Sequence, residues 1–152
     1  GKPTESNLYL DGKAAFNFLI QQKIPIQKLV FYGESLGTGV AVELAQNKAI
    51  AALVLEAPFT SLLEIAKHHF PFFPTTLVLK DKYTSVSKVG NLKTHLLVLH
   101  GNKDRTIPLK FGQKLFNMAE VDKQLYEFPD AGHNNIYSYN APSKIIRFLA
   151  PL

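Results

Sequence analysis

The sequence predicts an α/β fold with a mostly parallel sheet flanked by helices, and three observations carry that reading. The runs Lys28–Tyr32, Ala51–Glu56 and His95–His100 are apolar at consecutive rather than alternate positions, as expected of strands buried on both faces by crossover helices. Segments of helical period separate these runs, so strand and helix alternate along the chain with no internal repeat or low-complexity tract. At 152 residues, 46% of them hydrophobic, positions 1–152 read as one domain with a real core.

The elements follow in order. Gly1-Lys-Pro-Thr-Glu5 reads as a loop, and Thr4 or Ser6 can cap a helix to about Gln22 that gathers Leu8, Ala15, Phe16, Leu19 and Ile20 on one face. Lys23-Ile-Pro-Ile-Gln27 turns the chain into the first strand, Lys28–Tyr32. A helix of small and branched residues then runs to about Asn47, and the second strand is Ala51–Glu56. Residues 57–94 are less regular: a helix around Leu62–His69, an aromatic-proline cluster Phe70-Pro-Phe-Phe-Pro74, and a short helix over Leu77–Tyr83. The third strand is His95–His100, followed by a helix over Pro108–Ala119, the fourth strand Lys123–Phe128 and a closing helix Ala141–Leu149.

Composition removes several functional classes. The chain has no cysteine, which excludes disulfides, thiolate metal sites and a cysteine nucleophile. Its net charge of +5 comes from lysines spread through every segment, without a block of like charges or aromatic-basic interleaving. That pattern argues for solubility and weak attraction to acidic surfaces, and against nucleic-acid binding. No apolar run approaches the roughly 18 residues of a membrane span, residues 1–25 hold no leader-peptide pattern, and the cytoplasm is the favoured compartment.

Chemistry concentrates in the loops that follow the strands, where open α/β sheets gather their active groups. After the first strand comes Gly33-Glu34-Ser35-Leu36-Gly37, a Gly-x-Ser-x-Gly turn between strand and helix, which is the context of a nucleophile elbow. Such a turn strains its central residue and needs small neighbours two before and two after, so that strand and helix pass closely; Gly33 and Gly37 meet that demand. It also lifts the Ser35 hydroxyl to the N-terminus of a helix, whose amides favour developing negative charge. The alternative is a glycine-rich turn that serves packing only.

After the third strand comes Gly101-Asn-Lys-Asp104-Arg-Thr-Ile-Pro108, and after the fourth Pro129-Asp-Ala-Gly132-His133-Asn-Asn135. A serine, a carboxylate and an imidazole thus fall at one rim in the order Ser, Asp, His. A serine hydroxyl is a poor nucleophile until a base takes its proton, and imidazole is the side chain whose ordinary pKa suits that task. His133 is the candidate base. Asp104 is the candidate carboxylate to fix its tautomer and stabilise the imidazolium. Weaker candidates are Asp130 and Asp81 as rival carboxylates, His100 as a structural residue, and Glu34 as a pocket or solvent residue. His68 and His69 are neighbours on a helix and do not share a face, so no metal pair is expected. Phe59, Phe70, Phe72 and Phe73 are expected to give the pocket an apolar wall suited to acyl chains, with ordinary core packing as the alternative.

Gly33-Glu-Ser35-Leu-Gly37-Thr-Gly, Leu97-Val-Leu-His-Gly101-Asn-Lys-Asp104-Arg-Thr-Ile-Pro108 and Ala131-Gly-His133-Asn-Asn resemble the α/β-hydrolase superfamily. The likeness is strongest to its nearly lidless branch of small serine hydrolases, which includes acyl-protein and lipid esterases and shades into prolyl-oligopeptidase-like enzymes. It covers almost the whole chain. It implies a cofactor-free serine esterase or thioesterase acting on a small-molecule or acyl-protein ester, with Ser35 the nucleophile, Asp104 the acid, His133 the base and the Leu36 amide one oxyanion-hole donor. Glu34 and Phe59 are expected to line the substrate.

In one respect the chain departs from that pattern. Members of the superfamily have about four strands before the elbow strand, and a loop after an early one supplies the second oxyanion amide, so the chain resembles the C-terminal portion of an α/β-hydrolase fold. An upstream segment or a partner chain is expected to cover the Leu29–Tyr32 strand, otherwise an exposed apolar edge. Losing one oxyanion donor typically costs about 10²–10³ in turnover, so feeble activity is expected of the 152 residues alone. The rival reading is a non-catalytic scaffold that binds a partner through this edge; a peptidase would need an N-terminal gating domain.

Overall fold

Strands β1 (Val30–Glu34), β2 (Ala52–Glu56), β3 (His95–Gly101) and β4 (Lys123–Phe128) form one sheet in the computed structural model, which describes residues 2–152. The strands lie side by side in chain order, every pair parallel, with Gly33 opposite Leu55, Leu55 opposite Val98 and Val98 opposite Leu125. Helices α1 (Glu5–Gln21), α2 (Leu36–Ala45), α3 (Leu62–His69), α4 (Thr75–Val78), α5 (Leu109–Met118) and α6 (Ala141–Leu149) complete the α/β architecture.

The two-residue period of the strands divides the apolar residues between two cores. Leu53, Leu55, Leu96 and Val98 pack with Val42 and Ala45 of α2 and Leu115 of α5, while Phe16 and Leu19 of α1 close over them. Ala52, Val54, Leu97 and Leu99 face the other way, against Ala141 and Phe148 of α6. All five residues of β2 are buried, and each fully buried leucine is worth roughly 1.5–3 kcal/mol relative to exposure. A third cluster of Phe59, Ile65, Tyr83, Ile107 and Phe111 sits at the rim formed by the carboxyl ends of the strands and supports the loops there.

Several details differ from the sequence reading. The first strand is Val30–Glu34, not Lys28–Tyr32, because Ile26–Lys28 closes a 3₁₀ turn whose Leu29 amide donates to the Ile26 carbonyl. The apolar stripe of α1 is shared between two clusters, Phe16 and Leu19 serving the sheet and Leu8 and Tyr9 the rim, which leaves Ile20 facing solvent. The second short helix is Thr75–Val78, not Leu77–Tyr83. The amides of Lys82 and Tyr83 donate to Glu5 Oε2 at 2.7 and 3.0 Å, and the Leu62 amide donates to the Lys82 carbonyl, so this backbone is committed to partners outside a helix. A 3₁₀ turn at Ile136–Tyr139, which the sequence reading lacked, buries Ile136 and leads through left-handed Asn140 into α6. Among the described residues β1 is an edge strand, with Val30 and Tyr32 exposed, and no helix is long and apolar enough to cross a membrane.

Candidate functional site

The chain leaves β1 and reverses at Ser35, whose φ of 49° and ψ of −119° lie where a non-glycine residue is strained, typically by about 1–3 kcal/mol. Neighbouring contacts hold it there. The Ser35 amide donates to the Glu56 carbonyl at 2.9 Å, and the Ser35 carbonyl accepts from the Thr38 amide at 3.0 Å and the Thr38 hydroxyl at 2.6 Å. Gly33 is required by space: a Cβ there would lie 2.6 Å from the Gly37 carbonyl oxygen and 2.8 Å from the Thr38 Cα. Gly37 is not, because a Cβ at that position meets nothing within 4 Å. Among the described residues the demand for a small side chain therefore falls on the first glycine alone.

A serine before a helix ordinarily bonds its hydroxyl to an amide of the first turn. Ser35 makes no such cap. Its Oγ lies 3.0 Å from His133 Nε2 instead, beside the Leu36 amide at the first position of α2, one of the amides a helix leaves without an internal acceptor.

His133 is carried by the loop after β4, and Asp104 by the loop after β3. The two loops touch because position 101 has no side chain: a Cβ on Gly101 would sit 2.4 Å from the Gly132 carbonyl oxygen and 2.5 Å from that of Ala131. Amides of Asn102 and Lys103 donate to the carbonyls of Phe128 and Ala131 at 2.9 and 2.8 Å, and the Gly132 amide donates to Asn135 Oδ1 at 2.7 Å. In this frame His133 Nδ1 donates to Asp104 Oδ2 at 2.8 Å. With its proton on Nδ1, the ring turns the lone pair of Nε2 toward Ser35 Oγ.

Asp104 is buried. Its Oδ1 accepts from the amides of Thr106 and Ile107, both at 2.8 Å. Burial alone would push its carboxyl up, but bonds from His100, His133 and the Ile107 amide outweigh that and hold it below the ordinary carboxylate value. The carboxylate therefore stays charged where an imidazolium would need it.

Leu36 and Phe59 line a cavity of about 120 Å³ beside Ser35, closed by Leu62, Ile65, Thr106 and Ile107. Larger concavities lie elsewhere on the surface and touch none of Ser35, Asp104 and His133. Glu34 is outside this lining, exposed at the end of β1 opposite Glu56. Phe70, Phe72 and Phe73 are also outside it: all three are exposed, because Pro71 and Pro74 turn this stretch away from the rim cluster that holds Phe59. Asp130 Oδ1 pairs with Lys103 Nζ at 2.6 Å, and Asp81 Oδ1 accepts from the Glu5 amide at 2.9 Å, so neither carboxylate approaches His133 through these contacts.

The loop motifs gave less warning of the groups that support these three. His100 is fully buried; its Nε2 donates to the Ile107 carbonyl at 2.8 Å and lies 3.5 Å from Asp104 Oδ2, bracing the acid loop. Glu56, buried at the end of β2, accepts from the Tyr32 hydroxyl, which lies 2.8 Å from that of Tyr137. Burial raises the Glu56 carboxyl, the Glu34 charge adds to the effect, and Tyr32 and His133 oppose it. A lone glutamate closing the run Ala-Ala-Leu-Val-Leu was the available signal.

A model of the prolyl oligopeptidase family matches residues 3–150. An uncharacterized protein of Mycobacterium tuberculosis is 36% identical over 136 residues, 89% of this chain and 48% of its own. The alpha/beta hydrolase domain-containing protein aho-3 of Caenorhabditis elegans is 37% identical over 137 residues, 90% of this chain and 40% of its own. The acetyl xylan esterase from Paenibacillus sp. R4 superposes with a TM-score of 0.75 at 17% identity, over 95% of this chain and 52% of the esterase, a likeness of fold. The chain thus spans about half the length of the curated relatives it matches. A family match running through all four parallel strands, joined to the strained strand-to-helix turn at Ser35, gives the conclusion that this chain belongs to the prolyl oligopeptidase family of α/β-hydrolases.

Proposed function

We propose that this chain carries the nucleophile, base and acid of a serine hydrolase that cleaves a carboxylic ester or thioester through an acyl-enzyme on Ser35. The observation behind the reading is a single line of hydrogen bonds, Ser35 Oγ to His133 Nε2 at 3.0 Å and His133 Nδ1 to Asp104 Oδ2 at 2.8 Å.

In this scheme Ser35 Oγ attacks the substrate carbonyl carbon while His133 Nε2 takes the hydroxyl proton. Negative charge gathers on the carbonyl oxygen, where the Leu36 amide and the N-terminal end of α2 stabilise it. The imidazolium is held by the charged Asp104. His133 then gives its proton to the departing alcohol or thiol as the carbon–oxygen or carbon–sulfur bond breaks, leaving Ser35 acylated. Water repeats the cycle: His133 accepts its proton, the hydroxide oxygen bonds to the acyl carbon, and Ser35 leaves with the proton returned. The cavity beside Ser35 is lined by Leu36, Phe59, Leu62, Ile65 and Ile107 with no charged side chain, which favours an acyl group over a sugar or a phosphate.

A fluorophosphonate probe tests the proposal. Label that maps to Ser35, vanishes in Ser35→Ala and persists in Ser6→Ala is the expected result. A full-length form that is folded by circular dichroism and takes no label overturns the proposal in favour of a non-catalytic scaffold.

A further inference from the structure

Five apolar side chains within nine positions of the arm that follows α3 stand in solvent: Phe70, Phe72, Phe73, Leu77 and Val78, with Phe72 fully exposed. Single exposed apolar residues need no explanation, but a contiguous group with three phenylalanines does. The arm is held in shape. The Phe70 amide donates to the Ala66 carbonyl at 2.8 Å, Phe73 to Phe70 at 3.1 Å, Thr75 to Phe73 at 2.7 Å and Leu79 to Thr75 at 2.9 Å. Pro71 and Pro74 restrict the backbone further, and Thr75 in its middle is buried.

Exposed Lys67, Lys80 and Lys82 flank the arm along the chain, and Lys110 Nζ lies 3.2 Å from His68 Nδ1 where the arm begins. The two half-buried carboxylates at its ends are already engaged, Glu64 with Lys114 Nζ at 3.0 Å and Asp81 with the Glu5 amide at 2.9 Å. We propose that this arm docks the protein on an anionic phospholipid bilayer. The phenylalanines would enter the headgroup boundary and the lysine ammonium groups would meet lipid phosphates at its surface. An exposed apolar stretch flanked by lysines suits a soft, negatively charged surface; a protein partner would have to supply a matching pocket with an acidic rim.

The arm grows out of the wall of the Ser35 cavity. Leu62 and Ile65 of α3 line that cavity, and His69 Nε2 donates to the carbonyl of Thr106, another lining residue, at 2.9 Å. Docking would bring the cavity to the lipid interface, where apolar acyl esters reside. Docking itself does not depend on the hydrolase reading; only this assignment of a lipid-borne substrate rests on it.

Cosedimentation with vesicles of roughly 30% phosphatidylserine in phosphatidylcholine tests the proposal. Phe72→Ser/Phe73→Ser should weaken partitioning about tenfold without lowering the melting temperature. Phe18→Ser, at an exposed apolar position on α1, should bind as the parent does. Raising salt from about 0.1 M to about 0.5 M should weaken binding. Ser35→Ala should keep full binding, which separates docking from the hydrolase reading. No binding to these vesicles, equal losses in the Phe18 and Phe72/Phe73 variants, or equal binding to pure phosphatidylcholine would overturn the proposal.

Discussion

Alanine at Gly33 and alanine at Gly37 look equivalent in a Gly-x-Ser-x-Gly motif, yet the structure separates them sharply. A Cβ on Gly33 would lie 2.6 Å from the Gly37 carbonyl oxygen, 2.8 Å from the Thr38 Cα and 2.9 Å from the Ala41 Cβ. None of those atoms ends a flexible side chain, so β1 and α2 must move apart. Overpacking costs about 1–3 kcal/mol, and backbone contacts on this scale put Gly33→Ala near 3 kcal/mol. For a chain of this size that is a fall in melting temperature of roughly 6–12 °C. The Cβ of Gly37→Ala meets nothing, and a helical alanine is intrinsically favoured, so its stability should stay within about 0.5 kcal/mol of the parent or rise. Thermal unfolding by circular dichroism measures both, and fluorophosphonate labelling reports whether Ser35 has moved. Equal losses at the two positions, or a tolerated Gly33→Ala, would refute the packing argument.

Other consequences follow from the buried groups. Asp104 has a lowered pKa, so its contribution to stability is fully present above its ordinary value of 3.8 and is lost as pH falls through the lower folded value; the carboxylate's share of the gap between the parent and Asp104→Asn in pH-dependent unfolding should close only in strong acid. Asp104→Asn should also slow Ser35 acylation by up to about 10⁴-fold. Glu56 has the opposite sign. Its raised pKa imposes no cost below the ordinary 4.5 and a growing one above it, so Glu56→Gln should gain stability relative to the parent as pH rises from about 4.5. His100→Leu keeps the bulk but leaves the buried Ile107 carbonyl without its donor, a loss of about 1–3 kcal/mol that calorimetry would register.

The fold was legible where one force dominated. Ala51–Glu56 and His95–His100 could be read as strands because burial on both faces leaves an unbroken apolar run. Ser35, Asp104 and His133 could be singled out because turn residues mark the loops that carry them, and the structure brings their side chains within hydrogen-bonding distance. What escaped depended on distant partners. Tyr83 follows no helix because Glu5, 78 positions away, captures its amide. Phe72 and Phe73 have the composition of a pocket wall, and only the path of the backbone through Pro71 and Pro74 puts them in solvent. Gly37 satisfies the motif without a steric need, a distinction that lies in the three-dimensional approach of β1 to α2. Glu56 and His100 close apolar runs, and their buried bonds to Tyr32 and Ile107 are set by sheet register and loop path.

The account stands on one proton transfer, from the Ser35 hydroxyl to a ring that Asp104 orients. Groups acting as a unit lose nearly everything when one is removed, so the decisive quantity is the rate constant for fluorophosphonate labelling of Ser35 in the parent, His133→Ala and His133→Ala/Asp104→Asn. The account predicts that His133→Ala slows labelling by about 10³-fold or more and that adding Asp104→Asn changes it no further. Labelling that survives in His133→Ala, or losses that multiply in the double variant, would contradict it.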